Sequence, residues 1–455
     1  MIILFEDDGY RAFLPLAHSR PIYEMRCGIW TLRERVERQT GARPAAICRT
    51  HLATVYGSGR WPLGLLGGSA PLTFVNGRAN NIAWLAGLAA EPLNTIYVAD
   101  GGPLVLGAQI LLGARIAPAL ASAVLADMLC QDAVRALAEL RRFCRVVEIE
   151  TALLTFPWDL VTANGAQIER DVAQLEREGW RPASDMPPPA HVVLHNPERI
   201  FLHPQARLDG PLVLDARAGA IVIDAAQIEP FSFIQGPAAI GAGALISGAR
   251  IRGETTIGPT CRIGGEVEAS IVQGFSNKHH DGFLGHSYLG EWVNVGAMTT
   301  NSDLKNTYGN IKVVLEGIGQ VDSGQMKLGC FLADHVKLGI GLHLNGGSMI
   351  GTGSNIFGVH FAPKTIPSFT WGGELFREYR IDRMVSVARK VMARRKIALA
   401  PDQEALLREV FLMTRGSRAD MAEPLDERPV MNEDSIALAQ AEAEALLAFA
   451  PVRKK

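Results

Sequence analysis

The chain is 455 residues long, with 20% charged residues and a formal net charge of −2. That length is more than one hydrophobic core serves, so two or three domains are predicted. The near balance of charge excludes a globally basic nucleic-acid binder. Six cysteines are scattered without a C-x-x-C pair, which predicts buried thiols in a reducing compartment rather than disulfides or zinc.

Met1 is followed by only four apolar residues, Ile2-Ile3-Leu4-Phe5, and then by acidic ones. The run is too short for a signal peptide, and no stretch of about 18 apolar residues follows, so a cytoplasmic protein without a membrane span is expected. Ile2–Phe5 reads as a buried strand and Trp30 to Gln39 as a helix. The segments 45–48, 72–75 and 95–98 read as further strands, Asp127 to Arg142 as a helix, and 145–149 as a strand. Such alternation predicts an α/β domain over residues 1–185 with a mostly parallel sheet. Pro187-Pro188-Pro189 then marks a linker, because consecutive prolines cannot pair in a sheet.

From 191 to 375 a different rule holds. Ile228, Ile234, Ile240 and Ile246 recur every six residues, as do Ile251, Ile257 and Ile263. Met326, Leu332, Leu338, Leu344, Ile350 and Ile356 repeat the pattern further on. Gly follows several of these aliphatics, and the combination is the hexapeptide signature of a parallel β-helix, in which each aliphatic is buried by the coils above and below. Phe283, Leu289 and Val295 keep the period through the segment 276–313, so that segment is expected to remain coil. Residues 376–455 form a helical extension. Ile381, Met384, Val385, Ala388, Val391 and Met392 lie at helical spacing opposite a basic face, Pro401-Asp402 opens a second helix, and Asn432 to Ala450 is a third.

Between Ser276 and Val313 the repeat carries polar groups that a structural coil does not need: Lys278, His279, His280, His286, Asn294 and Asn301. A neutral imidazole suits general-base work near pH 7; ordinary surface histidines are the alternative. The runs GGEVEASIVQGFSNKHHDGFLGHSYLGEWVNVGA (264–297) and TTNSDLKNTYGNIKV (299–313) are long and specific. Through them the chain resembles the left-handed β-helix acetyltransferases, above all a variant family of the bifunctional bacterial enzymes that form UDP-N-acetylglucosamine. The resemblance reaches to about residue 375.

An ungapped alignment back from VNVG implies His280 as catalytic base, with Asn301 also catalytic after a small gap. It implies substrate contacts from Phe283, Asn294 and Arg252, with Arg250 competing for the last role. His286 and Lys278 join them as substrate-binding candidates, Lys278 as a stand-in for a family lysine that has no direct counterpart. Phe283 replaces a tyrosine and so lacks a hydroxyl. The resemblance further implies acetyl-CoA and UTP as cosubstrates, sugar phosphates as substrates, Mg²⁺ for nucleotidyl transfer, and a homotrimer.

The N-terminal region is similar to the family's nucleotidyltransferase half more distantly. FEDDGYRAFLPLAHSRPIYEMRCG replaces the glycine-rich phosphate loop with a single Gly9. Arg11, Arg20 and Arg26 are candidates to compensate, since guanidinium groups pair bidentately with phosphate; covering strand ends is their equal alternative. Asn76 and Arg78, in NGRANN, are further nucleotide-binding candidates. They sit where the family keeps a metal-holding aspartate, which leaves Asp7 and Asp8 as the expected Mg²⁺ ligands. The expected function is acetyl transfer to glucosamine 1-phosphate followed by uridylyl transfer to the product. A nucleotidyltransferase with a merely structural β-helix, a pure acetyltransferase, and a non-catalytic nucleotide-sugar-binding subunit are the alternatives.

Overall fold

The computed structural model describes residues 1–57, 70–102, 108–151, 153–358 and 360–421. The third expected helix, 432–450, lies outside them.

Six strands form the N-terminal sheet: β1 (Ile2–Phe5), β2 (Ala45–Ile47), β3 (Leu72–Asn76), β4 (Thr95–Asp100), β5 (Gln109–Ile116) and β6 (Arg145–Glu148), in the order β2-β1-β3-β5-β4-β6. All are mutually parallel except β5, which runs antiparallel between β3 and β4. β5 was not expected from the sequence, and the expected helix 127–142 is two helices, Pro118–Leu129 and Ala133–Leu140. They are separated at Gln131, whose φ of 57° no helix accommodates.

Because side chains alternate along a strand, both faces of β1 need cover. Ile3 and Phe5 pack with Val98, Leu111, Val124 and Leu137 on the side of those two helices. Leu4 turns the other way, onto Tyr23, Val36, Val75 and Leu112. That second core is completed from the far end of the chain, by Met384, Val385, Leu406 and Val410. These residues belong to helices α1 (Ile381–Ala393) and α2 (Pro401–Met413), so the C-terminal extension is a cover for the N-terminal sheet.

Residues 192–372 wind into a parallel β-helix, and its repeat and coil length fit a left-handed one. One face is a nine-stranded sheet whose inward residues stack in register: Leu202, Ile223, Ile240, Ile257, Val272, Leu289, Leu332, Ile350 and Ile366. Each is capped by its neighbours above and below, which is the burial the hexapeptide period predicts.

The period slips where the polar segment begins. A second inward ladder runs Ile234, Ile251, Val267 and then Leu284, so Leu284 enters the core while Phe283 faces outward. A third runs Leu208, Ile228, Ile246, Ile263 and then Lys278, a lysine in an aliphatic position. Met326 is half exposed and outside the ladder. The chain leaves the coil after Asn301 and returns at Phe331, and between them a hairpin (Lys312–Leu315 with Gly319–Asp322) projects from the helix. Its Val313 and Leu315, with Ile311, pack against Phe13, Leu16, Ile22, Leu154 and Phe156.

Candidate active site

A polar constellation on the β-helix surrounds His286. Its backbone sits in the left-handed region (φ 49°), donating to the Glu268 carbonyl at 3.0 Å and accepting from the Gly329 N–H at 2.9 Å. On the following coil Asn301 clamps the preceding residue: Oδ1 accepts from the Gly285 N–H at 2.9 Å and Nδ2 donates to the Gly285 carbonyl at 3.0 Å. A Cβ on Gly285 would strike the Phe283 ring and the Asp303 carboxylate, so glycine keeps this corner open. The His286 ring therefore has a fixed origin.

Nδ1 of that ring lies 2.7 Å from Asp303 Oδ2. Burial works against the Asp303 carboxylate, but the hydrogen bond and charge of His286, then Lys327, hold it below the usual carboxylate range. An ionised Asp303 accepts a hydrogen bond from Nδ1–H, which fixes the tautomer and leaves Nε2 with its lone pair. Beside the dyad, Glu268 lies 3.6 Å from Arg252 Nε and 3.5 Å from Lys327 Nζ, and Arg252 Nη1 reaches Glu266 at 3.3 Å. Arg250 lies 3.7 Å from Glu266. Arg252 and Lys327 remain about half exposed. The corner thus carries an oriented imidazole and two cations reachable from solvent.

His280 stands apart from this corner. It is exposed, and with His279, Asn277, Asn294 and Trp292 it lines a separate cleft of about 720 Å³ beneath α1. Asn294 accepts there from Asn277 Nδ2 at 3.0 Å. Lys278 is turned inward, its Nζ donating to the carbonyls of Gly264 (2.9 Å) and His280 (2.8 Å), and burial pulls its pKa down to about 8. It pins the turn that carries the histidines.

At the N-terminal sheet edge Asp7 is held on both sides. Arg78 donates to it from Nε (2.8 Å) and Nη2 (2.6 Å), and Asn76 Nδ2 donates at 2.8 Å. Asp8 and Arg11 are exposed and share with Asp7 and Arg78 the lining of a cavity of about 320 Å³. Burial first, and then the neighbouring Asp7, raise the Asp8 carboxyl. Arg20 and Arg26 point into the β-helix. Arg20 binds Asp334 through Nε (3.2 Å) and Nη2 (3.0 Å), with Glu291 alongside and Ser19 Oγ on the same carboxylate at 2.6 Å. Arg26 donates to the Gln273 carbonyl at 3.3 Å and to that of Ile29.

A larger cleft, about 970 Å³, opens at the C-terminal ends of β4 and β6, the edge where open α/β sheets take ligands. Asp100 ends β4 and Glu150 follows β6; both line it, with Asn80, Asp159 and Thr155. The hairpin supplies Asp322, Ser323 and Gln325 to the opposite wall. Asp100 is not among the expected site residues, although four strand residues followed by Ala-Asp-Gly-Gly announce a carboxylate on a sharp turn; Gly102 has φ 72° and donates to Asp100 Oδ1 at 3.1 Å. Among the described residues no group of three His, Cys, Asp or Glu is placed to hold a metal ion. Asp7 is neutralised by Arg78, whereas Asp100 and Glu150 both line the larger cleft; Mg²⁺ commonly takes one or two carboxylates and completes its shell with water and substrate phosphates.

Residues 2–179 match the protein-family model described as sugar nucleotidyl transferase. The bifunctional protein GlmU of Acidithiobacillus ferrooxidans is 36% identical over 152 residues, covering 32% of this chain and 29% of that protein. A bifunctional sugar-1-phosphate nucleotidylyltransferase/acetyltransferase of Sulfurisphaera tokodaii is 34% identical over 92 residues, 20% of this chain and 23% of that one. The chain therefore aligns with less than a third of the length of these relatives. Among solved structures, the UDP-N-acetylglucosamine acyltransferase of Francisella novicida covers 56% of this chain and 86% of its own at 11% identity, with a TM-score of 0.22. Among the described residues no helix is long and apolar enough to cross a membrane. Residues 2–179 thus match the sugar nucleotidyl transferase family model, and in this chain they are joined to a parallel β-helix.

Proposed function

We propose that the chain transfers an acetyl group from acetyl-CoA to the amine of an amino-sugar 1-phosphate at the β-helix corner, and a nucleotidyl group from UTP to the product at the N-terminal cleft. The observation that carries this reading is the His286–Asp303 pair, an imidazole with one nitrogen held by carboxylate and the other left free. His286 Nε2 accepts the proton as the amine nitrogen bonds to the thioester carbonyl carbon. The C–S bond then breaks, and the imidazolium returns the proton to the leaving thiolate. Asp303 stabilises the imidazolium without itself taking the proton. Arg252 and Lys327 are placed to hold the sugar phosphate once it displaces them from Glu268.

For the second step, Asp100 and Glu150 would hold Mg²⁺, which supplies charge neutralisation on the nucleotide phosphates. Arg11, Asn76 and Arg78 mark the opposite end of the same sheet edge, where the exposed Asp8 shares a cavity with Arg11. A homotrimer is part of the same proposal.

The Asp303 contact favours His286 over His280 as the base, since among the described residues the His280 ring makes no hydrogen bond to a carboxylate. His286→Ala is expected to slow acetyl transfer by about 10²–10⁴-fold and to leave uridylyl transfer intact, and His280→Ala to do less. Both half-reactions, followed as thiol release and pyrophosphate release on both variants, test this; full acetyl transfer in His286→Ala sinks it. One observation favours a second reading, an acetyltransferase whose N-terminal region no longer turns over. Arg20, Arg26 and Arg78 are all committed to protein partners, so no pyrophosphate release from UTP would establish it.

A further inference from the structure

The cleft beneath α1 has an unusual charge makeup. Arg262 and Lys337 from the β-helix and Arg394 and Arg395 from the end of α1 line it, against Glu229 as the lone carboxylate among the described residues. None of the three arginines has an ion-pair partner among the described residues. Nε of Arg395 is buried without a hydrogen-bond acceptor, and so is Nδ1 of His279 in the same wall. Lys337 is half-buried by residue surface and donates to the Trp292 carbonyl; burial with no anion facing it brings its pKa down to about 7. Burial, and then the charges of Arg262 and Arg394, pull Arg395 below its ordinary value as well.

Like charges held this close oppose one another, and a buried guanidinium nitrogen without an acceptor adds a desolvation cost. A solvated helix face has no such problem, because its arginines spread into water. Here α1 is clamped by Met384, Val385, Ala388 and Met392, which leaves its last turn fixed over the cleft. The arrangement is one that an anion would complete. Four cations against one carboxylate call for at least two negative charges, and guanidinium forks match phosphate oxygens.

We propose that the cleft between α1 and the β-helix binds a diphosphate group, free or as part of a nucleotide. The site is distinct from the His286–Asp303 corner and does not rest on the acetyl-transfer reading.

Calorimetric titration of the full chain with pyrophosphate tests the proposal, with UDP in a second titration. Saturable binding is expected, weakened about tenfold or more by Arg395→Ala and by Arg394→Ala. Glu229→Gln, which removes the opposing charge and keeps the hydrogen bond to Ser247, is expected to tighten binding several-fold. A gain of affinity is not what a damaged fold produces, so this variant keeps the test sound if an arginine variant folds poorly. Tighter binding of UDP than of pyrophosphate identifies a nucleotide as the source; equal binding identifies the diphosphate itself. No heat with either probe, or the same affinity in wild type and all three variants, overturns the proposal. Acetyl transfer by His286→Ala is read separately, so either idea can fail alone.

Discussion

Arginines at two places in this molecule look alike in the sequence and have opposite fates. Arg20, Arg35, Arg49 and Arg78 lie in or near the N-terminal loop, and each is buried against a carboxylate: Asp334, Asp171, Glu6 and Asp7. Arg262, Arg394 and Arg395 surround a cleft and face one another. The first set is structural cement, because a buried ion pair that loses one partner leaves the other charge stranded. The second set costs stability in the absence of a ligand. Charge in a sequence therefore marks neither a site nor a scaffold; the partner decides, and for Arg20 that partner is 314 residues away.

The contrast is most easily broken at Arg20. Arg20→Ala strands Asp334 between the N-terminal loop and the β-helix, and a loss of about 3–5 kcal/mol is expected in denaturant unfolding. A variant as stable as the parent would mean that the loop arginines are as free as those under α1.

Lys278 sharpens the contrast, since its ammonium is buried and hydrogen-bonds to carbonyls, and the charge of Asp281 offsets its burial only in part. Its pKa falls from 10.5 to about 8 on folding. Between those values the unfolded chain binds more protons than the folded one, so stability rises with pH across that window. Below pH 8 the full penalty of about 3 kcal/mol is present. Lys278→Met should remove this rise, and unfolding free energies of both proteins at pH 7.5 and 10 would show it. Equal slopes would mean that the lysine is already neutral or well solvated.

At the His286 corner the charges are paired yet reachable. Asp303→Asn loses the carboxylate that fixes the tautomer and is expected to lower acetyl transfer about 10- to 100-fold, by analogy with other supporting partners of histidine. The pH–rate profile should shift as well, which a simple packing role would not cause. The smallest effect belongs to Arg395→Ala. Removing one of several mutually repelling cations should change stability by less than about 0.5 kcal/mol, or raise it. A loss as large as that of Arg20→Ala would erase the distinction between the two sets.

Much of the fold was legible because its cause is local. The hexapeptide aliphatics announce the ladder Ile240, Ile257, Ile350, since inward burial recurs at every coil. The strands of the first sheet were legible for the same reason, apart from the antiparallel β5. Phe283 and Met326 fit the period and still face outward: at Phe283 the register shifts by one residue, so that Leu284 enters the core, and Met326 lies in the segment that has left the coil, neither of which a period count can see. The candidate site was legible as a set of residue types. The sequence could not say which histidine faces a carboxylate, because the His286–Asp303 contact crosses from one coil to the next. Nor could it show that Arg20 and Arg26 turn into the β-helix or that the C-terminal helices close the N-terminal sheet.

The hairpin that leaves the coil after Asn301 has a consequence for how the chain is made. Its apolar residues pack on Phe13, Leu16 and Ile22, and Glu316 meets His18 at 3.1 Å. While a ribosome has delivered only the first two hundred residues, that surface has nothing to sit against, and Arg20 has no Asp334. The sheet, moreover, lacks the helices α1 and α2 that close its second face. The N-terminal sheet is thus finished by residues 381–413, and until these are made it must wait, partly open. Dividing the gene between the two halves would release an N-terminal fragment with a bare apolar face, prone to aggregation, whereas a cut in a surface turn with both pieces present would let the halves find each other again.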